Sequence, residues 1–520
     1  MTDKGKSGFW RGWVEIWEEE SASLGYKWIL GLVFFAFLIR IPLLLFPEVI
    51  HNDGTEYIRH ARQILSGDWS IGTGRTHPLY PSLIALAHFF SPNDEMAGIG
   101  ISVMFGALIV LPIFYLGRAV FSEKVGFLSA LFATVHPPLY IYSGSVLTES
   151  VFYFLLANSV LFGWKAFEKG QWRDSFLFGF FTSLSYLIRV EGIGLLAIFG
   201  VWVLLINPRN GSRPWIKRGR MLLLAILSFL IFSAPYLIQI KTETGRWQIS
   251  KKISISMGSF SEEESEQAVE RIRERGRITI SSLLKSPLTL VKKIGIGGVQ
   301  SLYLFQQVFT PYLLLMAVLG VLSSRTRPYP IKGNLYLLSH LVYFLCFIHP
   351  LFRAGRRYAS HVIPFALPWA AFGFFEIIYW IHRMLRKETL RKKVPTVLLV
   401  VILTVLFIQG RVIHQREHRF IQREAGLWLK EHLPRGSKLM SRLPQEAFYG
   451  ELEWVRMPLG SYEEILKEAR SKGTQYVLID KEIVKKSPDF LEKMSHTDFD
   501  LLKELERGDR SIKVFHLRFP

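Results

Sequence analysis

The sequence predicts an all-α polytopic membrane bundle of about eleven transmembrane helices, with amphipathic helices in its outer loops and a small C-terminal α/β domain. Three observations carry this. Half of the 520 residues are hydrophobic and 14% are aromatic, and the apolar residues come in blocks of about 20, the length a helix needs to cross the hydrocarbon core. Basic residues recur in the short connections between alternate blocks, as in cytoplasmic loops. Beyond residue 410 the chain turns polar, and helix and strand signals alternate.

The spans are expected near residues 27–46, 97–119, 124–141, 147–167, 174–189, 190–206, 221–240, 308–323, 335–350, 358–382 and 395–410. The first block is long and lacks a small-residue cleavage site, so it reads as a retained span and not as a signal peptide. With residues 1–26 cytoplasmic, the even-numbered connections also face the cytoplasm. They hold Arg118 and Lys124; Lys165, Lys169 and Arg173; Arg209, Arg213, Lys217, Arg218 and Arg220; Arg325, Arg327 and Lys332; and Arg383 through Lys393. This is a consistent positive-inside pattern. It accounts for the formal net charge of +20, so no nucleic-acid partner is implied. Cys346 is the only cysteine, which excludes an intrachain disulfide and a Cys-rich metal site.

The domain layout that follows is a transmembrane region over 27–410, with large outer loops at 47–98 and 241–299, and an extracytoplasmic α/β domain over 411–520. In the first loop, Tyr57, Ala61, Ile64 and Leu65 share a helical face, as do Leu79, Leu83, Leu86 and Phe90. Both segments read as interfacial helices. In the second loop, Glu262, Glu263, Glu264 and Glu266 precede Arg271, Arg273, Arg275 and Arg277, a run most simply read as a solvated face. In the tail, Glu424–His432 and Tyr462–Lys472 read as helices, and Lys438–Met440 and Tyr476–Ile479 as strands.

Ionisable residues are expensive in lipid, so those at span ends on one side need a reason. Asp53 follows the first span in His51-Asn52-Asp53-Gly54-Thr55-Glu56-Tyr57. It either caps the following helix or serves as a general base at the membrane surface. His77 stands before Pro78 in a constrained turn, as a structural residue or a ligand-binding one. Glu149, in Thr148-Glu149-Ser150, opens the fourth span, where helix capping competes with a role in an outer cavity. Arg189 and Glu191 flank Val190 between two apolar blocks, and the plain alternative there is an ion pair. Arg353, Arg356, Arg357 and Tyr358 open the tenth span on the outer side, against the positive-inside trend. Such a cluster asks for an anion, either a lipid headgroup phosphate or a substrate phosphate, which the planar guanidinium fork suits.

Taken together, these segments resemble the membrane glycosyltransferases that use polyprenyl-phosphate sugars, the GT-C superfamily, and within it the bacterial branch related to protein O-mannosyltransferases and the lipid A aminoarabinose transferase. The resemblance is carried by Asp53-Gly54-Thr55-Glu56-Tyr57-Ile58 with Ala61, by Ser66-Gly67-Asp68-Trp69, by His77-Pro78-Leu79-Tyr80-Pro81, by Thr148-Glu149-Ser150, by Arg189-Val190-Glu191-Gly192 and by Arg357-Tyr358. It covers roughly residues 27–385. Many relatives carry Asp-Glu where this chain has Asp53-Gly54, and some carry a Lys where it has His77.

The resemblance implies a GT-C-like bundle in a bacterial inner membrane. It implies an inverting transfer of a sugar from a polyprenyl-phosphate carrier to a glycan, lipid or protein acceptor at the outer face. Asp53 maps to the catalytic acid of the first outer loop. Arg357, Arg356, Arg189 and His77 are the candidates for the donor phosphate, and Glu56, Tyr57, Glu149, Glu191 and Tyr358 for support or substrate contact. Metal dependence varies across the superfamily, so a divalent metal is possible but not inferred. The alternative class is a multi-pass transporter or lipid-linked glycan flippase or ligase, which would place charges near the midplane and often shows inverted repeats. Here the charges gather at one face and no repeat is evident.

Overall fold

The computed structural model describes residues 26–70, 76–208, 211, 213–250, 287–323, 331–352, 355–412, 419–458, 460–486 and 498–518. The expected acidic and basic run at 262–277, the N-terminal segment expected to be cytoplasmic, and Arg353 lie outside these residues. The chain divides into two compact units. One comprises Met1–Leu44, Ala61–Gly144 and Thr148–Val412, the other Leu45–His60, Ser145–Leu147 and Ile413–Pro520.

The first unit is helical. Among the described residues, seven helices are long and apolar enough to cross a membrane: Lys27–Leu45, Asp94–Val120, Glu149–Lys169, Trp215–Thr244, Ile331–Ile348, Arg356–Met384 and Glu388–Arg411. Two bent pairs raise the number to nine, Glu123–Val135 with Pro137–Gly144 at 59° and Ile294–Phe309 with Pro311–Ser323 at 110°. The expected spans at 174–189 and 190–206 are the helices Trp172–Ile188 and Gly194–Leu205, which are shorter than a full crossing. The expected count of eleven is therefore not established; these two segments separate it from nine. Outward faces carry exposed apolar side chains such as Leu30, Ile231 and Val397, which suits hydrocarbon as the solvent.

Without a hydrophobic drive between helices in lipid, small residues allow close van der Waals approach. Gly320 and Gly373 do this between Pro311–Ser323 and Ile363–Met384. A Cβ on Gly373 would stand 1.8 Å from Met316 O, and one on Gly320 would stand 2.2 Å from Trp369 O. At the end of the first span, the fully buried Arg40 satisfies its guanidinium with oxygen atoms alone. It donates to Ser143 Oγ at 3.1 Å, Ala36 O at 3.0 Å, Thr134 O at 3.1 Å and Leu139 O at 3.4 Å. Three of these partners belong to the bent pair 123–144, so the charge pins the break in that span to the first helix.

The first-loop helices form at Asn52–Leu65 and Leu79–His88. The second packs on the protein through a face other than the apolar one expected at the interface. Tyr80, Pro81, Ile84 and Ala85 are buried, while Leu86 and Phe90 are exposed at 59% and 88%. The reason is polar: Tyr80 Oη bonds to Gly98 O at 3.2 Å and Ser102 Oγ at 2.8 Å. A buried tyrosine whose hydroxyl finds partners turns that face inward and leaves the leucine and phenylalanine outside.

The second unit holds an α/β domain. Its sheet runs β2-β1-β3-β5-β4, with β1 Lys438–Ser441, β2 Glu453–Arg456, β3 Tyr476–Asp480, β4 Phe499–Arg507 and β5 Arg510–Leu517. The first three strands are parallel, and β5 runs antiparallel to both β3 and β4. The strands expected at Lys438 and Tyr476 are β1 and β3. The helices expected in the tail are Phe420–His432 and Tyr462–Ser471, the latter held by a capping box between Ser461 and Glu464. The β4–β5 hairpin and β2 were not legible, because their alternation is interrupted by charged residues. Buried residues fill both faces of the sheet, Met440, Val477 and Phe515 on one side and Leu439, Leu478 and Val514 on the other.

Candidate active site

In the first unit, four widely separated segments meet in a buried ionic cluster. Glu149 opens the helix Glu149–Lys169, where the helix N-terminus favours an anion. Arg189 has extended backbone at the break between Trp172–Ile188 and the tight turn Val190–Ile193. Arg357 and Tyr358 lie on the short helix Arg356–Ala359. Tyr343 and His349 come from a wide π-helical turn, Tyr343–Ile348, and the residue after it; such turns are frequent at functional sites.

The carboxylate of Glu149 is fully buried. Its Oε1 accepts from Arg189 Nη1 at 3.3 Å and from Arg357 Nε. Arg189 Nη2 also donates to Glu191 Oε1 at 3.1 Å. Arg189 therefore sits between two acids, so the expected Arg189–Glu191 ion pair is present but is not self-contained. The Arg189 guanidinium also lies 4.8 Å from the centre of the Tyr358 ring, a cation–π contact. Tyr343 Oη donates to the Glu191 carbonyl at 2.8 Å. Ser360 Oγ donates to Arg357 O at 2.5 Å and pairs with Tyr153 Oη at 2.5 Å.

Among the described residues, two acids pair with two arginines here, and pairing is how buried charge is tolerated. Arg189 is 5% exposed and Arg357 21%. Arg357 is thus the more accessible cation of the pair. Among the described residues, Glu149 Oε2 has no hydrogen-bond partner. The same holds for both ring nitrogens of His349 and His361, two fully buried histidines whose rings stand 5.8 Å apart. His349, His361, Tyr153 and Tyr343 were missed in the sequence. For the histidines the signal was their position on either side of the segment that carries Arg353, Arg356 and Arg357.

The other expected residues fall elsewhere. Arg356 is exposed and donates to Gln307 Oε1 at 2.9 Å. His77 is buried in an aromatic niche, with ring centres 5.6 Å from Tyr186 and 5.2 Å from Tyr236 and its Nε2 3.1 Å from Ser250 Oγ. Among the described residues no group of three or more His, Cys, Asp or Glu is placed to share a metal ion.

Asp53, Glu56 and Tyr57 belong to the second unit. Asp53 is exposed in the first turn of Asn52–Leu65. Glu56 is held within its own helix by Arg59, at 3.0 Å and 2.6 Å, so its carboxylate is engaged and not a second acid beside Asp53. Tyr57 is buried against the unit. Gly54 has no room for a side chain: a Cβ would stand 2.8 Å from Ile50 Cγ1 and 2.9 Å from Val146 O. The missing second acid has a packing reason.

Residues 76–238 match the family model described as dolichyl-phosphate-mannose-protein mannosyltransferase. That stretch includes His77, Glu149, Arg189 and Glu191 but neither Asp53 nor Arg357. No curated protein matches the sequence significantly. Among solved structures, ArnT from Cupriavidus metallidurans bound to undecaprenyl phosphate aligns with a TM-score of 0.60 at 11% identity, covering 94% of this chain and 98% of that one.

The chain has the GT-C fold.

The archaeal oligosaccharyltransferase AglB from Archaeoglobus fulgidus, solved with an inhibitory peptide and a dolichol-phosphate, shares the fold at a TM-score of 0.57 and 13% identity, over 92% of this chain and 73% of that one. The mycobacterial arabinofuranosyltransferase AftD does so at 0.53 and 12%, over 96% and 42%. The likeness to ArnT covers 94% of this chain, and the protein is a multi-pass membrane protein. At these identities the likeness is one of fold, so residue roles rest on the geometry above.

Proposed function

We propose that this protein is a GT-C glycosyltransferase of a plasma membrane, bacterial inner membrane by its resemblance, that moves a sugar from a polyprenyl-phosphate carrier to a glycan, lipid or protein acceptor at the outer face, with inversion. The observation that carries the reading is the Glu149–Arg189–Arg357 cluster, set at span ends of a fold shared nearly end to end with a transferase solved with undecaprenyl phosphate. The loop charges support an N-terminus inside, with the segments 47–98, 241–299 and 411–520 outside.

In this reaction the acceptor oxygen or nitrogen attacks the anomeric carbon as the bond to the carrier phosphate breaks. The electron pair leaves with the phosphate. Asp53 takes the acceptor's proton. The phosphate is a good leaving group, so no paired acid is needed. Arg357 stabilises the negative charge that develops on it, with Glu149 and Arg189 holding Arg357 in orientation. Arg356 and His77 are secondary candidates for the phosphate, and Glu191 and Tyr358 support Arg189.

The test incubates the purified protein with a panel of polyprenyl-phosphate sugars and candidate acceptors. Transfer that Asp53→Asn abolishes, in a protein still folded in detergent, is the expected result. Full transfer by that variant would sink the base assignment. Absence of both binding and transfer across the panel would sink the reaction.

A further inference from the structure

The C-terminal domain has no part in the reaction as stated, yet one of its helices takes hold of the chain just before Asp53. The helix Gln445–Gly450 turns two side chains one turn apart onto Ile50. Gln445 Nε2 donates to the Ile50 carbonyl at 3.2 Å and to Asn52 Oδ1. The Ile50 N–H donates to Tyr449 Oη at 2.9 Å. Both main-chain polar groups of one residue are thus bound by a single helix 395 and 399 positions away.

The contacts to Ile50 are dry, whereas Asn52 is exposed. Gln445, Ile50 and Tyr449 are 1%, 3% and 8% exposed, so an unpaired group there costs about 1–3 kcal/mol. The helix is itself braced. Gly426 of Phe420–His432 leaves it no slack, since a Cβ there would stand 2.5 Å from Tyr449 Cβ and 2.8 Å from Glu446 O. Arg423 lies 5.5 Å from the Tyr449 ring centre. On the other side of Asp53, Gly54 is wedged against Ile50 and Val146. Asp53 is exposed, but the chain on both sides of it is clamped.

We infer that the C-terminal domain is a positioning element for the proton-accepting carboxylate: Gln445 and Tyr449 hold Ile50 to Asn52 and so set where Asp53 stands. The inference rests on Asp53 being the base of the proposed transfer. Holding a reacting group in place is worth much of a barrier, and a displacement of about 1 Å costs about 100-fold in rate. Gln445 and Tyr449 touch no reacting atom; they act through the backbone.

The experiment compares Tyr449→Phe, which keeps the ring and removes the hydroxyl, with Gln445→Leu and Asp53→Asn, all in the full chain in nanodiscs. Rates are expressed per donor-binding site. The expected result for the first two is a kcat lower by about 10–100-fold, with KM for the donor lipid within about twofold of wild type and faster amide exchange at Ile50. A domain that merely stabilises the protein would lower the number of donor-binding sites and leave kcat per site unchanged. That outcome overturns the inference. If Asp53→Asn is inactive while Tyr449→Phe and Gln445→Leu keep wild-type kcat, the inference alone fails. If Asp53→Asn is fully active, the base reading fails and takes the inference with it.

Discussion

Glu149 and Arg357, 208 positions apart, share a hydrogen-bonded ion pair in which the carboxylate is fully buried. Arg189 reaches the same oxygen at 3.3 Å. One acid therefore sets the position of two arginines, and the consequences of removing it differ from those of removing either cation.

Glu149→Gln keeps the shape and deletes the charge, leaving Arg189 and Arg357 close together with Glu191 paired to Arg189. Breaking a buried pair by removing one partner costs about 3–5 kcal/mol. A clear fall in the thermal midpoint in detergent is expected. A double-mutant cycle with Arg357→Met should show a coupling of about 1–3 kcal/mol. Additive effects would mean that the pair is not energetically linked.

Arg357 is the accessible cation of the cluster, so its replacement should be read in donor binding. Arg357→Ala is expected to weaken undecaprenyl-phosphate binding by about tenfold or more, the scale of a lost charge-assisted hydrogen bond. Arg357→Lys should recover only part of it, because an ammonium lacks the planar fork. Titration of the lipid in nanodiscs checks both. Unchanged affinity in the alanine variant removes Arg357 from the phosphate site.

Restoring the second acid that many relatives carry should not help this chain. In Gly54→Glu the new Cβ meets Ile50 and the Val146 carbonyl below 3 Å. Overpacking of this kind costs about 1–3 kcal/mol and pushes on the segment that carries Asp53. Lower transfer and a lower midpoint are expected, with Gly54→Ala intermediate. A gain in transfer would show that the site has slack there.

Burial holds the Glu446 carboxyl up at about 8, against an ordinary value of 4.5; the nearby Asp480 adds to this, and a backbone hydrogen bond and Arg442 oppose it. Between those two values the folded domain keeps a proton that the unfolded chain has released. The contribution to stability is therefore complete below about 4.5 and is lost as pH rises toward about 8, on the order of a few kcal/mol in total. Denaturation of the wild type and Glu446→Gln across that window separates this group from others that titrate. The variant should lose the part of the slope that belongs to Glu446, and equal slopes would refute the assignment.

Local chemistry made much of this protein legible in advance. Block length and hydropathy depend only on neighbouring residues, so the spans, the polar tail and two of its strands could be read directly. Loop charge led to the expectation that Asp53, Glu149, Arg189 and Arg357 share one side. The sequence could also say which residue types suit a phosphate, because a guanidinium has the same geometry in every protein.

Partnership was decided by the tertiary structure. Periodicity says which face of a helix is apolar, but not which neighbour meets it, and the Leu79–His88 helix packs on the protein through the face that carries Tyr80. Nothing local distinguishes an arginine paired with Glu149 from the exposed Arg356 beside it. Nor does anything near Gln445 or Tyr449 indicate Ile50. Such pairs form only when folding removes water from groups hundreds of residues apart, and each buried charge or peptide must then find its partner at that distance or remain unsatisfied.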